Sequence, residues 1–177
     1  WTRCFWIMKK RLFVAIPLSE YFRKIFAEYQ SGQNIGGPST RLGVKWTSPE
    51  NLHITVYFLG DTDENLVVKV VDKLYGALPA MDPFGLEFKE ASLAPPAKPP
   101  RMIWAVFSES KVYKKLVDAV YAALAEFGFH DNRHKEYIPH ATLARFRDPF
   151  AVRGANLQQP NVKDRIMDVS SCDLMES

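Results

Sequence analysis

Asn51-Leu52-His53-Ile54-Thr55-Val56-Tyr57-Phe58-Leu59-Gly60 is the stretch on which the rest of the chain turns. β-Branched and aromatic residues from Ile54 to Phe58, closed by a glycine, read as a strand. Side chains two apart on a strand share a face. His53, Thr55 and Tyr57 are therefore expected on one side, with Ile54, Val56 and Phe58 on the other. The second side is apolar and belongs in a core; the first puts an imidazole beside a hydroxyl and suits a cleft. Downstream, Pro139-His140-Ala141-Thr142-Leu143-Ala144-Arg145 repeats the device. One His-x-Thr arises easily by chance, and a lone strand histidine is usually structural. Two copies on short apolar runs, one in each half of the chain, point to a shared task.

Around these strands the chain alternates strands and helices. Arg11–Pro17 is a nearly continuous apolar run stopped by proline, read as a buried strand. Ser19 is placed to cap a helix carrying Phe22, Ile25, Phe26 and Tyr29 at helical spacing. Ile35–Leu42 reads as loop and Val44–Thr47 as a short strand leading into the first motif. A second helix follows Asp61–Glu64, with Leu66, Val67, Val70, Val71, Leu74 and Leu78 on one stripe. Phe84–Leu93 and Met102–Phe107 read as strands separated by a proline-rich loop. A third helix starts at Ser110 and stops at Gly128, and Val162–Leu174 holds a final strand. Strand–helix–strand units recur in each half. An α+β fold of two similar lobes follows, with the two His-x-Thr strands lining opposite walls of one cleft.

At 177 residues the chain has length for one domain with a sizeable core. The domain is expected to span 8–177, with residues 1–7 a non-native or upstream extension, since Met8-Lys9-Lys10 looks a more natural start. The net charge of +3 is compatible with a phosphate-bearing partner without demanding one. Cys4 and Cys172, near opposite ends, form no disulfide framework, so a cytoplasmic location is expected. No run reaches the ~20 apolar residues of a membrane span.

Histidine is the side chain best suited to moving protons near neutral pH. Two across one reacting centre can act as base and acid, while Thr55 and Thr142 donate hydroxyls to charged oxygens. That suits in-line displacement at phosphorus without a metal, one histidine activating water and the other protonating the departing oxygen. Acyl transfer lacks a nucleophile elbow, and zinc lacks a ligand pattern; His130 and His134 alone are an incomplete set. Arg145 could reach the phosphate, but strict alternation places it opposite His140 and Thr142, so a bulge or the strand's end must turn it. Trp46, Phe58 and Trp104 are candidates for stacking a base. Phe58 and Trp104 are read as core and Trp46 is left open. Arg133, His134 and Lys135 form a basic patch ahead of the second motif, and Arg147 is read as a surface charge.

The two motifs resemble the paired motifs of the 2H phosphoesterases, in particular the RNA 2′,3′-cyclic phosphodiesterase (2′-5′ RNA ligase-like) branch. Arg11-Leu12-Phe13-Val14-Ala15-Ile16 resembles that family's opening strand. Arg101-Met102-Ile103-Trp104 is similar to its central strand, and Asp173–Ser177 to its closing one. The resemblance implies a bilobed fold: two pseudo-symmetric antiparallel sheets, helices on the outer faces and a central cleft. It implies hydrolysis of 2′,3′-cyclic phosphate termini of RNA or nucleotides to 2′-phosphates, without metal or other cofactor, and an ATP-independent reverse ligation. In that scheme His53 protonates the 3′ leaving oxygen, His140 activates water, and Thr55 and Thr142 hold the phosphate. Tyr57 stands where the family commonly has a basic residue, so it too is carried as a substrate contact, with Arg145 and Trp46. Ser177 comes before the Gly-Pro-x-Tyr-like tail of many members. A monomer is expected. The alternatives are a non-catalytic RNA- or nucleotide-binding module and an enzyme for a small cyclic nucleotide phosphate.

Overall fold

The computed structural model describes residues 9–33, 44–78, 82–96, 98–129, 138–147 and 157–177. Eight strands and three helices make up its regular structure: β1 (Lys9–Pro17), α1 (Glu20–Gly32), β2 (Val44–Trp46), β3 (His53–Asp63), α2 (Glu64–Ala77), β4 (Phe84–Ala94), β5 (Met102–Phe107), α3 (Lys111–Leu124), β6 (His140–Phe146), β7 (Ile166–Val169) and β8 (Asp173–Glu176). The strands run in the order β7-β4-β5-β6-β3-β1-β8, and β2 pairs with β6. All pairings are antiparallel, giving the expected α+β class.

The two halves meet at β3 and β6, which share the single pair Ile54–Ala141. The His-x-Thr strands are thus neighbours at the seam of one curled sheet, rather than opposite walls. That register sets His53 across from Thr142 and Thr55 across from His140. Directly opposed residues have Cβ atoms about 4.5–5.5 Å apart, so both motifs lie over one patch.

The helices cross between halves. Phe22 and Phe26 of α1, which follows β1, pack on Phe88 of β4 and Phe107 of β5, with ring centroids 5.5 Å (Phe26–Phe88) and 5.7 Å (Phe22–Phe107) apart. In return α3, which follows β5, sets Tyr121 against Tyr57 of β3 at 4.5 Å and donates from the Tyr113 hydroxyl to the Thr55 carbonyl at 3.3 Å. Each buried phenylalanine contributes about 1.5–3 kcal/mol, and here that energy is spent joining the halves. The seam is therefore held from behind by both.

Caps and stripes follow the sequence closely. The Ser110 hydroxyl accepts from the Tyr113 amide, and Gly128, at φ 65°, ends the turn after α3 in a left-handed conformation that disfavours a Cβ. The α2 stripe faces inward, with Val70 and Leu74 buried. Ser19 occupies the N-cap position of α1, but its side chain makes no capping bond. Gly60 bends β3 at φ 76° instead of ending it; the strand continues to Asp63. The final strand is two short ones, β7 and β8. No helix among the described residues is long and apolar enough to cross a membrane. Residues 1–8, the loop at 35–42, His130, His134 and the Arg133–Lys135 patch lie outside the described residues.

Candidate active site

Both motif strands carry a β-bulge at the same place. Against β1, Ala15 pairs with Thr55 and Val14 with Tyr57, so Val56 is the extra residue. Against β5, Trp104 pairs with Thr142 and Ile103 with Ala144, so Leu143 is the extra one. A bulge lets two successive residues face the same way and reverses the alternation beyond it. In β3, Val56 and Tyr57 both turn into the core; in β6, Leu143 and Ala144 do. The residue five after each histidine then joins the histidine's face: Phe58 in β3 and Arg145 in β6.

This corrects two expectations and supplies the bulge that a third required. Tyr57 is 4% exposed and packs on Tyr121, so it lines the core and not the cleft. Phe58, expected in the core, takes the cleft position, half-buried with the Arg11 guanidinium 5.1 Å above its ring. Arg145 needed a bulge to reach the site, and the bulge exists; the residue is exposed on the same face as His140 and Thr142.

Trp46 pairs with Ala144, which is fully buried, so its ring lies on the core side, half-buried against the hydrophobic cluster. It is corrected from a cleft residue to a packing residue. Trp104 moves the other way: it pairs with Thr142 and stacks on the His140 imidazole, centroids 3.8 Å apart and planes 24° from parallel. Phe13 lies against His53 in a tilted contact, centroids 4.7 Å apart and planes 32° from parallel.

The imidazoles are held alike. His53 Nδ1 lies 2.7 Å from the Asn51 carbonyl oxygen, and His140 Nδ1 lies 2.9 Å from that of Ile138. A carbonyl only accepts, so Nδ1 carries the hydrogen and Nε2 is the basic nitrogen of each ring. The Asn51 carbonyl is itself fixed by the 3₁₀ turn Pro49–Asn51, whose Asn51 amide donates to Ser48 at 2.9 Å. Burial pushes the His53 pKa below its ordinary value; the Asn51 bond acts in the opposite sense, and the Arg145 charge lowers it again. The Arg145 effect agrees with the register, because antiparallel pairing carries β6 past Thr142 to the His53 end. Along the cleft the order is Arg145, then His53 with Thr142, then Thr55 with His140, then Phe58. One end carries Arg145 and the other Phe58 with the Arg11 guanidinium above it.

The chain as a whole is similar to known proteins. The family description "LigT like Phosphoesterase" matches residues 24–104. The RNA 2′,3′-cyclic phosphodiesterase of Archaeoglobus fulgidus is 31% identical over 137 residues, covering 77% of this chain and 73% of that one. The chain belongs to the LigT-like phosphoesterases. The Bacillus subtilis protein of the same name is 27% identical over 78% of this chain and 72% of its own length. Solved structures share the fold. A Thermus thermophilus protein superposes with a TM-score of 0.74 at 24% identity, covering 93% of this chain and 86% of that one. Escherichia coli LigT complexed with 3′-AMP gives 0.71 at 19%, covering 95% and 88%.

Two further features of this LigT-like phosphoesterase bear on the site. A cavity of about 630 Å³, lined by Val14, Leu74, Leu116, Cys172 and Leu174, lies behind the sheet on the helix side and away from the histidines. Burial pushes the Cys172 thiol there up to about 12, so it stays protonated and unreactive. Among the described residues, no three His, Cys, Asp or Glu side chains converge as metal ligands would.

The second feature is Gln30 of α1. Its amide donates to the Thr47 carbonyl at 2.8 Å and the Leu143 carbonyl at 3.2 Å, and the Thr47 amide also donates to Leu143 at 2.9 Å. Gln30 thus pins the bulge that turns Arg145 into the cleft. Gln30→Leu is expected to destabilise the protein by about 1–3 kcal/mol, the cost of stranding partly buried polar groups. A drop of several degrees in Tm would register it; an unchanged Tm would show that the bulge holds without Gln30.

Proposed function

We propose that this chain hydrolyses RNA 2′,3′-cyclic phosphate termini to 2′-phosphomonoesters through acid–base catalysis by His53 and His140. The observation that carries the reading is the single Ile54–Ala141 pair at the seam, which sets each histidine across from the other motif's threonine. Both imidazoles have their Nδ1 hydrogen committed to a carbonyl, so both offer the same nitrogen to one phosphorus.

In the proposed step, His140 Nε2 takes a proton from water as the water oxygen bonds to phosphorus. The bond from phosphorus to the ribose 3′ oxygen breaks, and His53 Nε2 delivers a proton to that oxygen. The product keeps its phosphate on the 2′ oxygen. Charge accumulates on the two non-bridging oxygens, which Thr55 and Thr142 meet with hydroxyl hydrogens and Arg145 with its guanidinium. Each proton transfer contributes about 10²–10⁴-fold. The low pKa of His53 makes its protonated form a strong acid, and an arriving phosphate anion offsets the Arg145 charge that keeps the proton away. The same steps with a 5′ hydroxyl attacking in place of water join two RNA ends through a 2′-5′ linkage without ATP.

The names of the relatives, RNA 2′,3′-cyclic phosphodiesterases, support this substrate class over a non-catalytic binding role. The deciding experiment incubates the protein, in EDTA, with an RNA ending in a 2′,3′-cyclic phosphate and identifies the product by ³¹P NMR. A 2′-phosphate is expected. A 3′-phosphate, or activity that disappears with EDTA, would overturn the mechanism.

A further inference from the structure

Strand β2 is short, and its central residue is easily passed over. Lys45 pairs directly with Arg145, flanked by Val44–Phe146 and Trp46–Ala144. Opposed residues in an antiparallel ladder share a face. Val44 and Trp46 pack against the core with Phe146 and Ala144. Lys45 therefore stands on the cleft face beside Arg145, and both side chains are exposed.

Two cations directly across a ladder repel. Among the described residues neither makes an ion pair with a carboxylate; Arg145 instead donates to the Met102 thioether at 3.5 Å. An arrangement of this kind loses stability unless an anion comes to it. The reacting phosphate is not the natural partner of Lys45. Arg145 lies three residues from Thr142 along bulged β6, and Lys45 stands level with it, one strand spacing of ~4.8 Å away on the β3 edge. Both are beyond the His53 end of the patch, so an anion held by Lys45 lies past that end.

We propose that Lys45, beside the Arg145 that faces the reacting phosphate, forms a second anion subsite that takes the phosphodiester joining the terminal nucleotide to the rest of an RNA chain. The inference rests on the proposed function and extends it: the substrate is an oligonucleotide, and Lys45 is what distinguishes it from a mononucleotide. Lys45 touches no reacting atom, so its contribution is to binding.

The test compares Lys45→Gln with wild type on two substrates of the same terminal base, a mononucleoside 2′,3′-cyclic phosphate and a short RNA bearing that end. Wild type is expected to prefer the RNA. The substitution should lower kcat/KM for the RNA about 3- to 10-fold, through KM, and leave the mononucleotide unchanged, because one phosphate contact is lost. The dependence of log kcat/KM on log salt should flatten by about 0.7 for the RNA alone. Equal loss on both substrates, or none on the RNA, overturns the subsite while leaving the cyclic phosphodiesterase reading in place. Wild type that turns over neither substrate overturns both.

Discussion

Alanine at His53 or at His140 is expected to lower kcat on a 2′,3′-cyclic phosphate RNA by about 10²–10⁴-fold, with KM little altered. Each substitution removes one proton-transfer group but leaves the threonine hydroxyls and Arg145, which account for most of the phosphate contacts proposed. The double variant should be scarcely worse than the poorer single one. Residues that act as a unit lose their joint effect once either is gone. Folding gives an internal control, since both imidazoles sit on the cleft face and are only half-buried. Their removal should leave Tm close to wild type. Multiplicative losses would mean that the histidines act in separate steps, and full activity in either variant would remove that histidine from the mechanism.

The parts of this site that were legible beforehand are those that survive a local irregularity. His-x-Thr spans three residues, too short for a bulge to disturb, so each imidazole and its hydroxyl were bound to share a face. The bulges at Val56 and Leu143 come immediately after, and neither position carries a glycine or proline to announce one. Alternation carried past Val56 sends Tyr57 to the cleft and Phe58 to the core, and the protein does the reverse. For Arg145 the same rule showed that something had to turn the strand, without showing what.

Other features depend on partners that a linear reading does not reveal. The carbonyls of Asn51 and Ile138, which fix both tautomers, belong to the backbone and carry no signature in residue type. Trp46 and Lys45 exchange significance once β2 is known to pair with β6, because register decides which of two neighbours faces the cleft. The helices' exchange between halves explains why the lobes join edge to edge. The aromatic stripe of α1 was visible, but Phe88 and Phe107 as its targets were not.

Arg145→Gln is expected to reduce kcat/KM by about 10²–10³-fold, in the range seen when one preorganised donor to a developing anion is removed. Lysine should recover only part of this, since it cannot present the planar fork that holds two phosphate oxygens. The pH profile carries the more specific expectation. Burial alone keeps the His53 pKa low, and the guanidinium lowers it further by opposing a second positive charge nearby. Without that charge the protonated imidazole is less disfavoured, so its pKa must rise. One limb of the bell-shaped kcat/KM profile should move to higher pH in Arg145→Gln. The direction holds whichever histidine is acid and whichever base, because it depends only on the sign of the missing charge. A lower kcat/KM with both limbs fixed would show that Arg145 contacts the substrate without influencing His53. A limb moving to lower pH would contradict the placement of Arg145 at the His53 end of the cleft.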